Sequence, residues 1–155
     1  MQLIKKVTDG LVVTFFISLI LLVFAQVIFR FVFHNSQPWI DELSRFLFVW
    51  IIYLGGTITI RKGINITFDL LIDSLTSKTW MVVFTIVNIL CIFFLLLIVV
   101  LGFNISFINR VQASSLLGLN MGIVTLAIPI GGILMIVSQI EYYLTTLKKR
   151  KEGIC

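Results

Sequence analysis

A chain of 155 residues is long enough for one domain, but 59% of its residues are hydrophobic and only 12% are charged, against about 45–50% apolar and 25% charged residues in a soluble domain. This composition excludes an ordinary water-soluble domain and predicts an all-α integral membrane protein, with residues 1–155 forming a single membrane domain. The net charge of +5 does not indicate nucleic-acid binding, because the basic residues gather just outside apolar stretches, as is typical of membrane-flanking segments.

The first two predicted membrane spans cover residues 11–33 and 38–60. Residues 11–33 provide the roughly 20 apolar residues that a span needs. The second apolar stretch, 46–60, would give only about 22 Å of helix against a hydrocarbon core of about 30 Å. The helix is therefore expected to begin near Pro38, since proline suits a first helical turn, with Ser36 as its N-cap.

The segment between the second and third spans predicts a short amphipathic helix on the membrane surface, over about residues 66–76. Phe68 and Leu71 belong to a set of apolar residues at helical spacing, whereas Asp69 and Asp73 fall elsewhere on the helical turn. This pattern is typical of a helix that lies in the interface. An ordinary loop is the alternative.

The third and fourth predicted spans cover residues 80–104 and 121–144, so that four transmembrane helices are expected in all. Pro129 lies near the middle of the fourth span. Proline lacks an N–H and frees a carbonyl of the preceding turn, so a bend is predicted at this position.

The distribution of lysine and arginine predicts the orientation of the four spans. With both termini on one side, that side and its middle loop carry nine basic residues, and the other side carries three. The positive-inside rule then places both termini in the cytoplasm. The nine are Lys5, Lys6, Arg61, Lys62, Lys78, Lys148, Lys149, Arg150 and Lys151, and the three are Arg30, Arg45 and Arg110.

The central turns of the spans contain no charged residue that would indicate a catalytic or transport site, although such residues are the default functional candidates in a membrane. Glu141 is close to the end of the fourth span and is expected to cap the helix or to reach the interface. A single histidine, His34, cannot supply two axial haem ligands, and no Cys/His cluster suits zinc. The sequence also disfavours a small multidrug exporter, because such a protein would need a carboxylate deep within the helix bundle and the sequence shows none there. We therefore expect no enzyme activity, cofactor or metal.

One group of charges stands at the edge of the second span. Asp41 and Arg45 are four residues apart and Glu42 and Arg45 three apart, so both pairs can meet on a helix. Arg30, at the end of the first span, lies at a similar depth and could reach the same acids. Two interpretations remain open: a solvated helix start with weak surface pairs, or an interfacial charge cluster that joins the first two helices.

The stretch "PWIDELSRFLFVWIIYLGG", followed by "IRKGINITFDLL", resembles the small membrane subunit of tripartite ATP-independent periplasmic (TRAP) transporters, the DctQ family. The similarity extends to "IFRFVF" near Arg30 and to "IPIGGIL" in the last span. Asp41 replaces the commoner Glu, and Asn65 stands where His is usual. The central matching residues are Trp39, Asp41, Glu42, Arg45, Phe48, Val49, Trp50, Leu54, Gly55, Arg61, Lys62, Gly63, Ile66 and Asp69.

The resemblance implies a small scaffold subunit in the bacterial inner membrane that packs beside a large, multi-span, elevator-type permease. That permease would carry the sodium and organic-acid sites, for sialic acid or a C4-dicarboxylate, and a periplasmic binding protein would deliver the substrate. The alternatives are a self-contained small homo-oligomeric transporter and a membrane anchor or assembly protein without transport. Aromatic residues and adjacent glycines suit helix or partner packing, and the candidates are Trp39, Phe48, Trp50, Gly55, Gly56, Pro129, Gly131 and Gly132.

Overall fold

A computed structural model describes residues 2–35, 37–63 and 77–151 of the chain. This part of the chain is helical and carries four helical segments long and apolar enough to cross a membrane, which confirms the predicted fold class. The predicted interfacial helix at 66–76 lies outside the described residues. The helices are α1 (Gln2–Phe31), α2 (Pro38–Lys62), α3 (Ser77–Asn109), α4 (Met121–Thr125) and α5 (Ala127–Lys151).

The second helix begins and ends where its sequence provides a start and a stop signal. It starts at Pro38 and its N-cap is Gln37, so the prediction of Ser36 as N-cap is wrong by one residue. Proline suits this position because the first helical N–H groups have no partner within the helix. The helix ends at Gly63, which has a positive φ of 62° and donates its N–H to the carbonyl of Ile60 at 3.1 Å. Only glycine takes this left-handed conformation without a steric cost.

The fourth membrane-crossing segment is interrupted at Leu126, three residues before Pro129. Because Pro129 has no N–H, the carbonyl of Thr125 cannot receive the usual bond from four residues ahead. The helix therefore ends at Thr125 as α4 and resumes at Ala127 as α5, with the N–H of Ile130 bonded to the carbonyl of Leu126 at 3.2 Å. The sequence predicted a bend at Pro129, and the structure shows an interruption of the helix in the turn that precedes this proline.

The four long helices form a row and do not close into a bundle. Helix α1 packs on α2, α2 packs on α5, and α5 packs on α3. Among the described residues, α1 and α3 make no close backbone approach to each other. Among the described residues, the backbone of each helix at the edge of the row therefore closely approaches one long helix. Most of the apolar side chains of these edge helices remain exposed in the isolated chain, as at Phe24 and Phe93. Surfaces of this kind need lipid or another protein to cover them.

A cluster of buried and partly buried aromatic side chains joins α3 to α5. The rings of Trp80 and Phe84 stack with centroids 4.7 Å apart, and Phe84 stacks on Tyr143 at 5.7 Å. Tyr142 and Leu147 pack against the same cluster. Since Trp80 is close to the start of α3 and Tyr143 is in the second half of α5, this cluster holds one end of the row together.

The row has two ends that differ in their charged residues. The start of α2 and the loop of residues 110–120 lie together at one end, which we call the Arg45 end. The start of α1 and the ends of α2 and α5 lie together at the other, which we call the Arg61 end.

Candidate functional site

The predicted pair of Asp41 and Arg45 is present at the Arg45 end. A terminal nitrogen of the Arg45 guanidinium donates to Oδ2 of Asp41 at 2.7 Å, one helical turn away. The two side chains are 76% and 48% exposed, so water screens the pair. An exposed pair of this kind contributes under about 1 kcal/mol to stability. Because both residues belong to α2, the pair does not join two helices.

Glu42 bonds to a different part of the molecule. Its Oε2 accepts two long hydrogen bonds of 3.3 Å from the backbone N–H groups of Leu116 and Leu117, more than 70 residues away in the chain. The N–H of Leu117 is shared with Oγ of Ser114, which is buried. Glu42 therefore anchors the tip of the 110–120 loop to the start of α2.

The same loop is closed by its own backbone. The N–H of Ser114 donates to the carbonyl of Leu119 at 2.8 Å, and the N–H of Met121 donates to the carbonyl of Gln112 at 2.9 Å. Asn120 caps α4 by accepting from the N–H of Gly122 at 2.8 Å. The loop is thus a folded unit with Glu42 as its external attachment.

Arg30 does not join the other three residues of the predicted interfacial charge cluster. Its side chain is exposed at the end of α1, and the described residues include no carboxylate within ion-pair distance of it. The structure thus separates the predicted cluster into three parts: a pair within α2, a carboxylate that holds a loop, and a solvated arginine. In the part of the chain that the structure describes, no ion pair joins α1 to α2 at this end.

The aromatic candidates on α2 occupy different environments. Trp39 is exposed and donates its indole N–H to Oε1 of Gln37 at 3.1 Å. Phe48 is exposed. Trp50 is half-buried, and its ring meets that of Phe15 edge-on with centroids 6.5 Å apart. Trp50 thus packs α2 on α1, whereas Trp39 and Phe48 remain available to lipid or to a partner.

Three of the four predicted glycines lie where helices approach closely. A Cβ added at Gly131 would fall 2.5 Å from Cβ of Tyr53 and 3.1 Å from the Tyr53 carbonyl, so α5 rests directly on the backbone of α2. A Cβ at Gly56 would meet the flexible end of Met135, and one at Gly132 would meet Val99 on α3. Gly55, by contrast, has no such neighbour within 4 Å.

The sequence analysis missed a fifth glycine that completes the contact between α3 and α5. A Cβ at Gly102 would lie 2.8 Å from Cγ2 of Ile128 and 3.2 Å from the nitrogen of Pro129. Pro129 itself is fully buried. A lone glycine in a long apolar stretch was the only available signal, and its partner could not be read from the sequence.

Two ion pairs at the Arg61 end connect α1 to its neighbours, and both were missed. Arg61 on α2 bonds to the Asp9 carboxylate on α1, and the Arg61 side chain is only 14% exposed. Lys5 on α1 bonds to the carboxylate of Glu141 on α5. Glu141, which was expected to cap its helix or to reach the interface, is thus also bonded to a second helix.

The basic residues predicted at this end share it, but they differ in their environment. Arg61 and Lys62 form the last turn of α2, where positive charge suits the helix dipole. Lys62 is exposed. Lys148 is exposed near the end of α5, and the side chains of Lys149, Arg150 and Lys151 lie outside the described residues.

A buried pair of amide side chains links α3 to α5 away from the charged ends. Nε2 of Gln139 donates to Oδ1 of Asn88 at 2.7 Å, and Nδ2 of Asn88 donates to the Phe84 carbonyl at 2.8 Å. Both side chains are buried. Interhelical bonds of this type contribute about 0.6–2 kcal/mol each in membrane proteins. Asn88 was noticeable as a polar residue in an apolar stretch, but its partner, 51 residues later, was not predictable.

These arrangements favour packing over catalysis. No group of three or more His, Cys, Asp or Glu residues that could hold a metal is found in the part of the chain that the structure describes. Within the same residues, every buried side-chain nitrogen or oxygen has a hydrogen-bond partner. The charged residues with assigned contacts join helices, hold a loop or, in the pair of Asp41 and Arg45, bond within one helix.

Comparison with known proteins relates this architecture to one family and to several relatives. The model of the family described as tripartite ATP-independent periplasmic transporters, DctQ component, matches residues 19–149. The chain is 22% identical to the sialic acid TRAP transporter small permease protein SiaQ of Vibrio cholerae, over 95% of this chain and 85% of SiaQ. It is 28% identical to the sialic acid TRAP transporter permease protein SiaT of Haemophilus influenzae, over 97% of this chain but only 24% of SiaT.

A shorter match concerns a relative with a different substrate in its name. The C4-dicarboxylate TRAP transporter small permease protein DctQ of Vibrio cholerae is 29% identical over 72 residues, which are 46% of this chain and 31% of that protein. The chain thus spans most of SiaQ but about a quarter of the length of SiaT.

The row of helices, with its charges at two ends, defines a multi-pass membrane protein of the transporter-subunit type. Since the family model matches most of its length, the chain belongs to the DctQ component family of TRAP transporters, the small permease subunits.

Proposed function

We propose that this chain is the small scaffold subunit of a sodium-coupled, binding-protein-dependent TRAP importer of organic acids, and that it packs beside the large permease subunit. The observation that carries the proposal is the open row of helices. Its apolar side chains are mostly exposed at both edges in the isolated chain, and Trp39, Phe48 and Ile52 are exposed on α2. A second membrane protein can cover such a surface with closer van der Waals packing than lipid provides.

A scaffold role fits the absence of a substrate site among the described residues. A carrier of sodium and an organic acid needs unsatisfied polar groups near the centre of the membrane. The buried polar pair found here, Asn88 with Gln139, is fully used in joining α3 to α5. We therefore assign sodium and substrate binding to the large subunit, and no enzymatic activity to this chain.

The match to SiaT supports a partner of the permease type. A region similar to this whole chain makes up only 24% of that longer permease protein. In SiaT the region similar to this chain is thus part of one longer polypeptide. For this chain we propose that a separate large subunit corresponds to the rest of that polypeptide. A periplasmic binding protein is the proposed source of substrate, of the sialic acid or C4-dicarboxylate class named in the relatives.

The proposed orientation has both termini in the cytoplasm of a bacterial inner membrane. Nine basic residues would then face the cytoplasm and three the periplasm. The Arg61 end would be cytoplasmic, and the 110–120 loop with its Glu42 anchor would be periplasmic.

Co-purification with the large permease tests the proposal. We expect an affinity-tagged chain to recover the permease in a stable complex. The change of Arg45→Glu should lower that recovery, because among the described residues the exposed Arg45 side chain bonds only within its own helix and can meet a partner. The matched control is Lys62→Glu, an exposed cation at the other end of α2, which should recover the permease normally.

Two outcomes would count against this assignment. A wild-type chain that purifies only as a homo-oligomer, with no permease, would favour the self-contained transporter. If the Arg45→Glu chain recovered the permease at the wild-type level, Arg45 would not belong to the contact surface and would be a solvated helix residue.

A further inference from the structure

A groove of about 380 Å³ opens at the Arg45 end, between the last turns of α3 and the start of α4. Its walls include the rings of Phe103 and Phe107 and the aliphatic side chains of Ile123 and Leu126. The groove adjoins the hydrogen bond that joins Ser106 on α3 to Gly122 on α4. Its lining contains one charged residue, Arg110, and no acidic residue.

The other polar side chains of the groove are already occupied. Oγ of Ser106 donates to the Gly122 carbonyl at 2.8 Å, and Asn120 bonds to the Arg110 carbonyl and to the Gly122 N–H. The Arg110 guanidinium is different. It is exposed, and the described part of the chain places no carboxylate within ion-pair distance of it. The groove therefore has apolar walls, and Arg110, which lines it, carries an exposed guanidinium with several N–H donors.

The position of these groups along α3 matches the depth of a membrane interface. Arg110 directly follows the last residue of α3, whereas Phe103 lies seven residues earlier. At a rise of about 1.5 Å per residue, the groove extends about 10 Å from the guanidinium toward the hydrocarbon core. A molecule that is anionic at the top and apolar below fits this arrangement, and a phospholipid has this chemistry.

We propose that this groove binds a membrane phospholipid, with the lipid phosphate on the Arg110 guanidinium and the upper acyl chains against Phe103 and Phe107. Arginine suits a phosphate because its planar group donates two parallel hydrogen bonds. An anionic headgroup is preferred, since no carboxylate lines the groove to receive the ammonium of a zwitterionic lipid. This inference does not depend on the transport function proposed above.

Lipid titration of the purified full chain tests the proposal. In mild detergent, native mass spectrometry should show phosphatidylglycerol bound more tightly than phosphatidylcholine with the same acyl chains. The change of Arg110→Gln should weaken phosphatidylglycerol binding about ten-fold, the effect expected for loss of a charge-assisted bond. Arg110→Lys should fall between the two. The matched control is Arg30→Gln, an exposed arginine at the same end but outside the groove, which should leave binding unchanged.

A second variant tests the apolar half of the site while keeping the charge. Ile123 is exposed on the groove wall, so Ile123→Trp should fill the groove without disturbing the core and should lower binding of both lipids. Inorganic phosphate should not displace the lipid.

Four results would overturn the proposal. The first is an equal loss with Arg110→Gln and Arg30→Gln, which would show general surface attraction, and the second is no loss with Arg110→Gln. The third is full competition by inorganic phosphate, which would show a simple anion site. The fourth is a cross-link from residue 110 to an acidic residue of the co-purified permease with no lipid retained, which would show that a protein carboxylate fills the groove.

Discussion

Glu42 and Arg45 lie one turn apart on α2, yet they bond to different parts of the molecule. Arg45 bonds to Asp41 four residues earlier, an order of charges that suits a helix. Glu42 is directed to the backbone of the 110–120 loop. A carboxylate that accepts from N–H groups satisfies donors that would otherwise need water, and such charge-assisted bonds are stronger than neutral ones.

We predict that Glu42→Ala frees the loop, whereas Asp41→Ala does not. The two residues are adjacent on the same turn, so they form a matched pair of variants. In Glu42→Ala, the amides of Leu116 and Leu117 lose an acceptor and should exchange hydrogen several-fold faster. In Asp41→Ala, exchange in the loop should stay at the wild-type rate. Hydrogen-exchange mass spectrometry of the loop peptide measures both, and equal rates in the two variants would argue against the anchor.

Residue spacing predicted one contact of the interfacial charge cluster and could not predict the others. The pair of Asp41 and Arg45 follows from helix geometry alone, because both residues lie on one helix. The contacts of Glu42, Lys5 and Glu141 depend on which helices are neighbours. No sequence pattern shows which backbone N–H groups will donate to a given carboxylate. Ion pairs between residues more than 50 positions apart can be predicted only when the tertiary arrangement of the helices is known.

Helices α2 and α5 form the central contact of the row, and glycine sets the distance between them. Gly131 brings the α5 backbone onto Tyr53, whereas Gly55 on α2 faces no described atom within 4 Å. Alanine substitutions at these two glycines therefore distinguish the effect of interhelical packing on stability from the effect of helix propensity.

We predict opposite effects of alanine at these two positions. In Gly131→Ala the added methyl would meet backbone as well as side chain, and overpacking of this kind costs about 1–3 kcal/mol. In Gly55→Ala the methyl enters open space and alanine favours the helix by up to about 1 kcal/mol, so stability should be equal or higher. Thermal unfolding in detergent compares the two. A Gly131→Ala chain as stable as Gly55→Ala would mean that α2 and α5 can move apart freely.

Hydropathy predicted the number of long helices but not where each one ends. Helix α1 begins at Gln2, well before the predicted start at residue 11, and α3 continues to Asn109. Apolar composition indicates which residues lie in the hydrocarbon core. A helix can extend beyond the core when its polar residues form stabilising contacts there, as Lys5 does with Glu141. The break at Leu126 was displaced from Pro129 because proline acts on the preceding turn.

The described helices form a row with distinct ends, and the orientation of the molecule in the membrane can be tested directly. We predict that the Arg61 end is cytoplasmic, following the nine basic residues against three. In a chain with Cys91→Ser, Cys155 should resist a membrane-impermeant thiol reagent in intact cells and react after lysis. With Cys155→Ser as well, a new cysteine at Ser115, which is exposed in the 110–120 loop, should react in intact cells. The opposite pattern would reverse the orientation.

The row of helices leaves much apolar surface for lipid or a partner subunit to cover. The contacts found within the chain hold four helices side by side, through the ion pairs at the Arg61 end, the glycine contacts and the buried amide pair. None of these contacts creates a path for a solute among the described residues. The central claim is therefore that this chain supports transport and does not perform it.

Uptake into proteoliposomes tests this claim most directly. Vesicles are prepared with this chain alone, with the large permease alone, and with both, and each receives a sodium gradient and a binding protein loaded with labelled sialic acid or C4-dicarboxylate. We predict sodium-dependent uptake only when both membrane subunits are present, and none above the empty-vesicle level with this chain alone. Robust sodium-dependent uptake by this chain alone would contradict the account.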